Sequence, residues 1–194
     1  QNPDSQIIMP SVLEEVIFGL ENLGLPPDEI RERAEEIIKY VGLWEKKDLS
    51  PWSLSAGERQ ILAIASVLAL RPKVMILDEP TSMLDHRGTK RVLDLLDRLK
   101  RDYHMTIIVV EHRIEWASEI ADKIVIMDKG EFVAVGKPSE VFSNYELVKR
   151  VGVRPPMISE VFYKLIDRGV RVDRIPVTAR EAVELIKGRL GGGR

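Results

Sequence analysis

The sequence predicts an α/β fold with a parallel layer built from a strand, a helix, a second strand, a second helix and a third strand at residues 123–127. Residues 74–77 and 106–110 are short, continuous apolar runs, which are typical of strands buried on both faces. Residues 87–102 lie between them with apolar side chains at helical spacing, and so provide the crossover that a parallel pair needs. Asp78-Glu79 and Glu111-His112 follow the two runs, so we expect their chemistry to meet at one edge of the sheet.

Composition excludes several classes of protein. The chain has 194 residues, 44% of them hydrophobic, and its formal net charge is −2. It contains no cysteine, which excludes a disulfide scaffold, a thiol nucleophile and a thiolate zinc site. The near-neutral charge argues against a broad nucleic-acid surface. The longest apolar stretch, residues 61–70, is much shorter than the ~20 residues of a membrane span.

The region before the first strand reads as helical and acidic. Ser11 and Glu14 form a capping-box pattern, and the helix that they open should end before Pro26. A second helix should run from Asp28 to Gly42. A second capping box, Ser55 to Glu58, opens a helix that is apolar on nearly all sides and is expected to be buried.

The C-terminal part begins with a hairpin pattern around residues 128–130 and continues as a small helical region. Residues 154–156 read as a linker, and helices are expected over 159–168 and 178–186. Acidic residues dominate positions 1–50 and basic residues dominate positions 149–194. This asymmetry indicates either two solvated surfaces, which we favour, or a contact between oppositely charged regions.

Three groups of residues could carry chemistry. Asp78 could hold Mg²⁺ while Glu79 orients or deprotonates a water; the alternative is an acidic strand end with no ligand. His112 could donate a hydrogen bond to a phosphate oxygen, or have no role. Ser55 and Gly57 stand at a helix N-terminus, which could bind phosphate, although for this segment alone we favour simple helix capping.

The order and spacing of these patterns resemble the ATPase subunit of ATP-binding cassette (ABC) transporters. Gln1 falls on the Q-loop glutamine, residues 54–58 on the signature motif, and residues 74–79 on Walker B. Residues 82–85 match the D-loop and His112 matches the switch histidine. The strings Gln-Asn-Pro at the start, Val-Ile-Phe-Gly at 16–19, Leu-Gly-Leu-Pro at 23–26 and Val-Glu-His-Arg at 110–113 are similar to the cobalt-type, energy-coupling-factor importers.

The resemblance implies a role for each matching residue, with ATP and Mg²⁺ as cofactors. Glu79 would be the general base, His112 would touch the γ-phosphate, and Asp78 would support Mg²⁺ through water. Gln1 would contact Mg²⁺ or the attacking water. The signature residues would bind ATP held by the opposite subunit, and Asp85 would bridge the two subunits; the predicted nucleotide-binding set is Ser55, Ala56, Gly57, Glu58 and Asp85.

The match departs from the family in three ways. Ala56 stands where glycine is usual, and Glu58 replaces the common glutamine. The P-loop, G-x-x-x-x-G-K-[ST], is absent; the nearest string, residues 130–138, has the wrong spacing, ends in proline and lies on the predicted hairpin. We therefore expect an incomplete ABC ATPase fold that starts at the Q-loop and does not bind ATP in the usual way alone.

The expected organisation has three parts: residues 1–53 with the Q-loop and helical subdomain, 54–148 with part of the parallel-sheet core, and 149–194 as a helical extension. The predicted function is an ATP-hydrolysing subunit that powers import of a small solute, a metal ion or vitamin. Its partners would be a second ATPase subunit and a transmembrane component bound through residues 4–45, on the cytoplasmic face of the membrane. The alternatives are a module without hydrolysis that completes another subunit's site, and a non-transport ABC ATPase.

Overall fold

The computed structural model describes residues 3–112 and 114–191. The chain divides into two compact units, residues 1–112 and residues 113–194. Each is described by itself. The division into three parts, residues 1–53, 54–148 and 149–194, stays a prediction.

The first unit opens with three helices that pack on one another. α1 spans Val12–Glu21, α2 spans Pro27–Tyr40 and α3 spans Ala56–Leu68. Short 3₁₀ turns lie at Pro3–Ser5, Trp44–Lys46 and Pro51–Ser53. α1 contacts both α2 and α3, and the shared core between them includes Val16, Leu20, Ile38, Leu62 and Ile64.

Local sequence explains where these helices begin and end. The Ser11 hydroxyl accepts a hydrogen bond from the Glu14 amide at 3.2 Å, which caps α1 as its sequence predicts. Pro27 occupies the first turn of α2, where a missing N–H does no harm. Gly42 follows that helix at a φ of +75°, in the left-handed region that glycine adopts without strain. The expected helices of this region are therefore confirmed.

The parallel sheet follows in the same unit. β1 spans Val74–Asp78, α4 spans His86–Tyr103 and β2 spans Thr106–Val110. β1 and β2 pair in parallel, with Val74 opposite Thr106 and Asp78 opposite Val110. α4 packs against α3 and β2 through Val92, Leu95, Leu96 and Leu99. The predicted strand–helix–strand order is confirmed for these elements. The expectation that residues 123–127 add a third strand to this layer is wrong, because the chain turns at Gly130 and Ile124–Asp128 pairs antiparallel with Glu131–Gly136 in a separate sheet.

The expectation that both strands are buried on two faces is wrong for this chain. Met75 faces the core and is buried, whereas its neighbour Ile76 is 68% exposed and Ile108, its cross-strand partner, is 48% exposed. Val74 and Val110 extend the same exposed face. The physical reason is that α4 packs on one face of this two-stranded sheet, with Met75 in the shared core, and the described residues leave the other face exposed. Continuous apolar runs are typical of strands that are covered on both faces, which is why these two runs predicted burial on both sides.

The second unit begins with α5, Ile114–Ile120, and a hairpin of β3, Ile124–Asp128, with β4, Glu131–Gly136. The hairpin is confirmed, and it contains the Gly130 string that we rejected as a P-loop. Four helices follow: α6 Pro138–Ser143, α7 Tyr145–Val151, α8 Met157–Asp167 and α9 Ala179–Gly191. Sequence reasoning predicted α8 and α9 and missed α6 and α7.

A separate core holds this second unit together. Phe142 and Val148 from the two short helices pack with Phe162 and Tyr163 from α8. Burial raises the pKa of Tyr163 to about 12, and its hydroxyl donates a hydrogen bond to the Phe142 carbonyl oxygen. Within the described part of the chain, no helix has both the length and the apolar content to cross a membrane.

Candidate functional site

The carboxyl ends of β1 and β2 bring together the residues that the sequence places at one edge. The parallel register sets Asp78 beside Val110, and the Glu79 amide donates to the Val110 carbonyl oxygen at 2.8 Å. Glu111 and His112 follow directly on the neighbouring strand. We call these four residues, Asp78, Glu79, Glu111 and His112, the strand-end cluster. Their convergence follows from parallel pairing, since parallel strands end on the same side of a sheet.

Glu79 and His112 are in direct contact. The His112 Nε2 lies 2.8 Å from the Glu79 Oε1, within hydrogen-bond distance. The Glu79 side chain is 21% exposed, whereas that of His112 is 82% exposed. A carboxylate and an imidazole in contact can move a proton between water and phosphate, so the pair can serve acid–base chemistry.

The backbone of Glu79 has an unusual conformation. Its φ is +45°, in the left-handed region that L-residues with a side chain seldom adopt. Such a residue carries strain of roughly 1–2 kcal/mol. The amide and hydroxyl of Ser82 both donate to the Glu79 carbonyl oxygen, at 3.2 and 3.0 Å, and so hold the turn that follows. Strain that the surroundings maintain is frequent at functional sites.

Sequence reasoning did not single out Thr81, and it placed Glu111 at the end of the second strand without giving it a role. Thr81 is fully buried, and its hydroxyl donates to the Glu111 Oε1. The Glu111 Oε2 accepts from the His112 amide at 2.8 Å. Thr81 and Glu111 are common residue types, thirty positions apart, so no local pattern in the sequence indicates their contact.

Asp78 has an exposed side chain at the end of β1. In the described residues, no group of three or more His, Asp or Glu side chains is arranged to hold a metal without other ligands. Mg²⁺ is usually held by one or two carboxylates together with water and substrate phosphates. Asp78 is therefore a suitable donor for a metal that arrives with a nucleotide.

A second group of predicted residues, Ser55 to Glu58, lies at the start of α3; with Leu54 we call it the signature segment. Ser55 and Glu58 form a complete capping box: the Ser55 hydroxyl accepts from the Glu58 amide at 3.3 Å, and the Ser55 amide donates to the Glu58 carboxylate at 3.1 Å. Ala56 is the first residue of the helix. The capping interpretation of this segment is thus confirmed as local structure.

Glu58 is held by two cations from other elements. Its Oε1 lies 2.8 Å from the Lys46 Nζ and 3.5 Å from the Arg91 Nη1. The hydrogen bond from Lys46 lowers the pKa of Glu58 to about 2, against the opposing effect of burial and with help from Ser55. Glu58 is therefore a carboxylate at neutral pH, and its charge is offset by Lys46 and Arg91.

Gly57 is buried and packs against another glycine. A Cβ at Gly57 would lie 3.0 Å from the Gly88 Cα, so the two helices meet there through their backbones. The Gly88 amide donates at 2.7 Å to the Oδ1 of Asp85, which caps α4. The signature segment and the predicted D-loop residue Asp85 are thereby joined within one chain.

Arg59 links the signature segment to the beginning of the chain. Its Nε lies 2.7 Å from the Asp4 Oδ1, and its Nη1 donates to the Leu54 carbonyl oxygen at 2.6 Å. Asp4 lies three positions after Gln1. Gln1, the predicted Q-loop residue, itself lies outside the described residues.

Comparison with known proteins identifies the family. The family model described as ABC transporter matches residues 3–82. The energy-coupling factor transporter ATP-binding protein EcfA1 of Caldanaerobacter subterraneus is 41% identical over 186 residues, which are 96% of this chain and 67% of that protein. The chain belongs to the ABC transporter ATP-binding proteins.

Further relatives agree with this assignment. The EcfA1 protein of Clostridium novyi is 45% identical and matches 96% of the chain. The structure of cbiO1 from Clostridium perfringens, described as part of the ABC transporter complex cbiONQ, superimposes with a TM-score of 0.71 at 37% identity. That superposition covers 84% of this chain and 64% of the solved chain. The chain spans about two thirds of the length of the curated relatives that it matches, 66% to 67% for the first three.

The comparison confirms the resemblance drawn from the motifs, including the energy-coupling-factor group. It also confirms the fold class, since this chain of helices and parallel strands superimposes on cbiO1 over 84% of its length and on a putative metal-chelate type ABC transporter over 75% (TM-score 0.68, 28% identity).

Proposed function

We propose that the chain supplies the strand-end cluster and the signature segment of an ATP-hydrolysing subunit that powers transport across a membrane. The observation that carries this proposal is the contact between Glu79 and His112, 2.8 Å apart where β1 and β2 end. Membership of the ABC transporter ATP-binding proteins supports it.

Glu79 and His112 divide the acid–base work in this proposal. The Glu79 carboxylate accepts a proton from the water that attacks the γ-phosphorus, while the bond from that phosphorus to the ADP oxygen breaks. The His112 Nε2–H, which now faces Glu79, donates instead to a γ-phosphate oxygen. His112 is largely exposed, so its imidazole can change partner without unpacking a core. Phosphoryl transfer of this kind depends mainly on positioning and charge stabilisation.

Mg²⁺, when bound with ATP, would neutralise the charge that develops on the phosphates. Asp78 would hold it through water, because this carboxylate is exposed beside Glu79 at the end of β1. Gln1 is the second predicted contact to Mg²⁺ or to the attacking water, and it stays a prediction.

The signature segment is proposed to bind the ATP of a second ATPase subunit. Ser55 would donate its hydroxyl to the γ-phosphate, at the N-terminus of α3 where helix amides favour anions. That hydroxyl lies 3.0 Å from the Glu58 Oε2 in this structure, so phosphate would replace Glu58 as its acceptor. Lys46 and Arg91 reduce the repulsion between Glu58 and phosphate. Asp85 is proposed to contact the second subunit.

The cargo and the remaining partners rest on the resemblance to energy-coupling-factor ATPases. We infer a small solute, a metal ion or vitamin, and a transmembrane component that contacts residues 4–45. The subunit would then lie at the cytoplasmic face of the membrane. This helical region contains α1 and α2, and both pack on α3. If a partner shifted this region, α3 and the signature segment at its start would shift with it.

The proposal is tested by ATP hydrolysis in the natural full-length protein. Glu79→Gln keeps the shape of the side chain and removes the base, so we expect hydrolysis to fall by on the order of 10²-fold or more. Glu184→Gln, a change of the same kind at an exposed position of α9, should retain the wild-type rate. Equal rates for Glu79→Gln and wild type would contradict the proposed base.

A second candidate function is a module that completes the ATP site of another subunit without hydrolysing ATP itself. The fully formed capping box of Ser55 and Glu58 favours it, because this function requires only the signature segment. This function predicts that Ser55→Ala, and not Glu79→Gln, lowers hydrolysis when the protein is mixed with a catalytically competent subunit.

A further inference from the structure

We propose that Glu111 and Thr81 are positioning residues that keep Glu79 and His112 within hydrogen-bond distance of each other. Neither residue would touch nucleotide; they would act through the backbones that carry the acid–base pair. This inference rests on the proposed hydrolytic function for its consequence on rate, but its geometric part stands independently.

The Thr81 hydroxyl supplies the first half of the connection. Thr81 is 0% exposed, and its hydroxyl donates to the Glu111 Oε1. Because a buried hydroxyl gains stability from a hydrogen-bond partner, we expect this bond to persist. Thr81 lies two residues after Glu79, and the amide of Leu84 donates to its carbonyl oxygen at 3.2 Å. Glu111 therefore holds the loop that presents Glu79.

The second oxygen of Glu111 supplies the other half. Its Oε2 accepts from the His112 amide at 2.8 Å. One carboxylate thus bridges the segment after β1 and the segment after β2. Hydrogen bonds to an ionised carboxylate are shorter and stronger than those between neutral groups.

Together these contacts close a ring. It passes from Glu79 to the His112 imidazole, from the His112 amide to Glu111, and from Glu111 to Thr81, which is two residues from Glu79. The His112 side chain is 82% exposed, so its own packing cannot fix its position. The hydrogen bond from the His112 amide to Glu111 therefore places the imidazole. The position of the Glu111 carboxylate depends in turn on its hydrogen bond from Thr81.

A matched pair of variants at Thr81 separates this role from simple packing. Thr81→Val keeps the shape and removes the hydroxyl, whereas Thr81→Ser keeps the hydroxyl and removes a methyl group. In the natural full-length protein, we expect Thr81→Val to lower kcat for ATP hydrolysis by about tenfold with KM for ATP changed less than about twofold. Thr81→Ser should stay within about twofold of wild type.

Thr89→Val is the control for loss of a buried threonine hydroxyl. Thr89 is also buried, in α4, and its Oγ1 has no hydrogen-bond partner among the described residues. The kcat of the Thr89→Val variant should match that of wild type. If Thr81→Val retains the wild-type kcat, or if Thr81→Ser loses as much as Thr81→Val, the positioning role is excluded.

A second measurement does not depend on hydrolysis. Hydrogen exchange of the His112 amide, followed by NMR, should accelerate by roughly threefold or more in Thr81→Val and stay unchanged in Thr81→Ser and Thr89→Val. The His112 amide donates to Glu111 and not to Thr81. Faster exchange of this amide in Thr81→Val would therefore show that the loss of the Thr81 hydroxyl acts through Glu111. Unchanged exchange in Thr81→Val would overturn the inference even if the rate of hydrolysis fell.

Glu111→Gln tests the same connection from the other side. Its single carbonyl oxygen replaces two carboxylate acceptors, so it should reproduce the slower turnover and the faster His112 exchange. The double variant with Thr81→Val should be no worse than either single variant, because both break one connection. If wild type itself hydrolyses no ATP, the proposed function fails, and the exchange measurements alone decide the positioning role.

Discussion

Glu58 shows how one carboxylate can stabilise a helix start and also limit its chemistry. It completes the cap of α3 and forms ion pairs with Lys46 and Arg91, from a turn that follows α2 and from α4. The carboxylate therefore connects three elements at the segment proposed to meet phosphate. Its charge would oppose an incoming phosphate if these two cations were removed.

The depressed pKa of Glu58, about 2, predicts a specific pH dependence. A carboxyl group whose pKa is lower in the folded state stabilises the fold above its ordinary value of 4.5, and that contribution is lost as the pH falls toward 2. Glu58→Gln should therefore lower the free energy of unfolding by roughly 1–3 kcal/mol at pH 7, allowing for the exposed cations. The difference from wild type should shrink steadily between pH 5 and pH 2, as measured by urea unfolding.

Glu45→Gln is the matched control for this prediction, because Glu45 is exposed in the same turn as Lys46. Its effect should be small at every pH. A Glu58→Gln difference that is independent of pH would show that the ion pairs do not supply the stability.

At the scale of elements, the crossing of α3 and α4 depends on two glycines. A methyl group on Gly57 would meet the Gly88 Cα at 3.0 Å, and one on Gly88 would meet the Asp85 Oδ1 at 3.1 Å. Gly57→Ala should lower the free energy of unfolding by about 1–3 kcal/mol, because backbone cannot move aside as a flexible side chain can. Thermal or urea unfolding would measure this.

Gly188→Ala provides the control, since Gly188 lies in α9 with open space where a Cβ would be. Alanine favours helix over glycine, so this variant should be unchanged or more stable by up to ~1 kcal/mol. Equal losses for the two variants would mean that the close approach of the helices is not the cause.

The sequence predicts most of these elements but not their contacts. Capping residues and apolar periodicity locate α1, α2, α3 and α4, and the apolar runs locate β1 and β2, because these signals are local. α6 and α7 are too short to show a periodic pattern. The Gly57–Gly88 approach and the Thr81–Glu111 bond join positions about thirty residues apart, so the fold itself must bring them together.

At the scale of the whole molecule, the exposed face of the β1–β2 sheet is the feature that affects behaviour in solution. Ile76 and Ile108 lie opposite each other in the parallel register and are both exposed, with Val74 and Val110 on the same face. A contiguous apolar sheet face of this kind favours association. Sequence reasoning identified the two strands from their apolar runs.

We expect the 194-residue chain to self-associate through this face. Ile76→Thr combined with Ile108→Thr keeps β-branched side chains and removes apolar surface, so it should weaken association by roughly tenfold or more. Sedimentation velocity over a range of concentrations would measure the change. Val183→Thr, at an exposed apolar position of α9, should leave the distribution as in wild type. Identical distributions for the double variant and wild type would place the association elsewhere.

The contact between Gly57 and Gly88 also has a consequence for motion. Two side chains in contact can absorb a small displacement by changing rotamer, but two backbone segments in contact cannot. A shift of the first turn of α3 must therefore be passed directly to the first turn of α4, where the Gly88 amide is bonded to Asp85. The segment that would sense phosphate and the aspartate that would face a second subunit should thus move in step, on the same timescale and with similar amplitude.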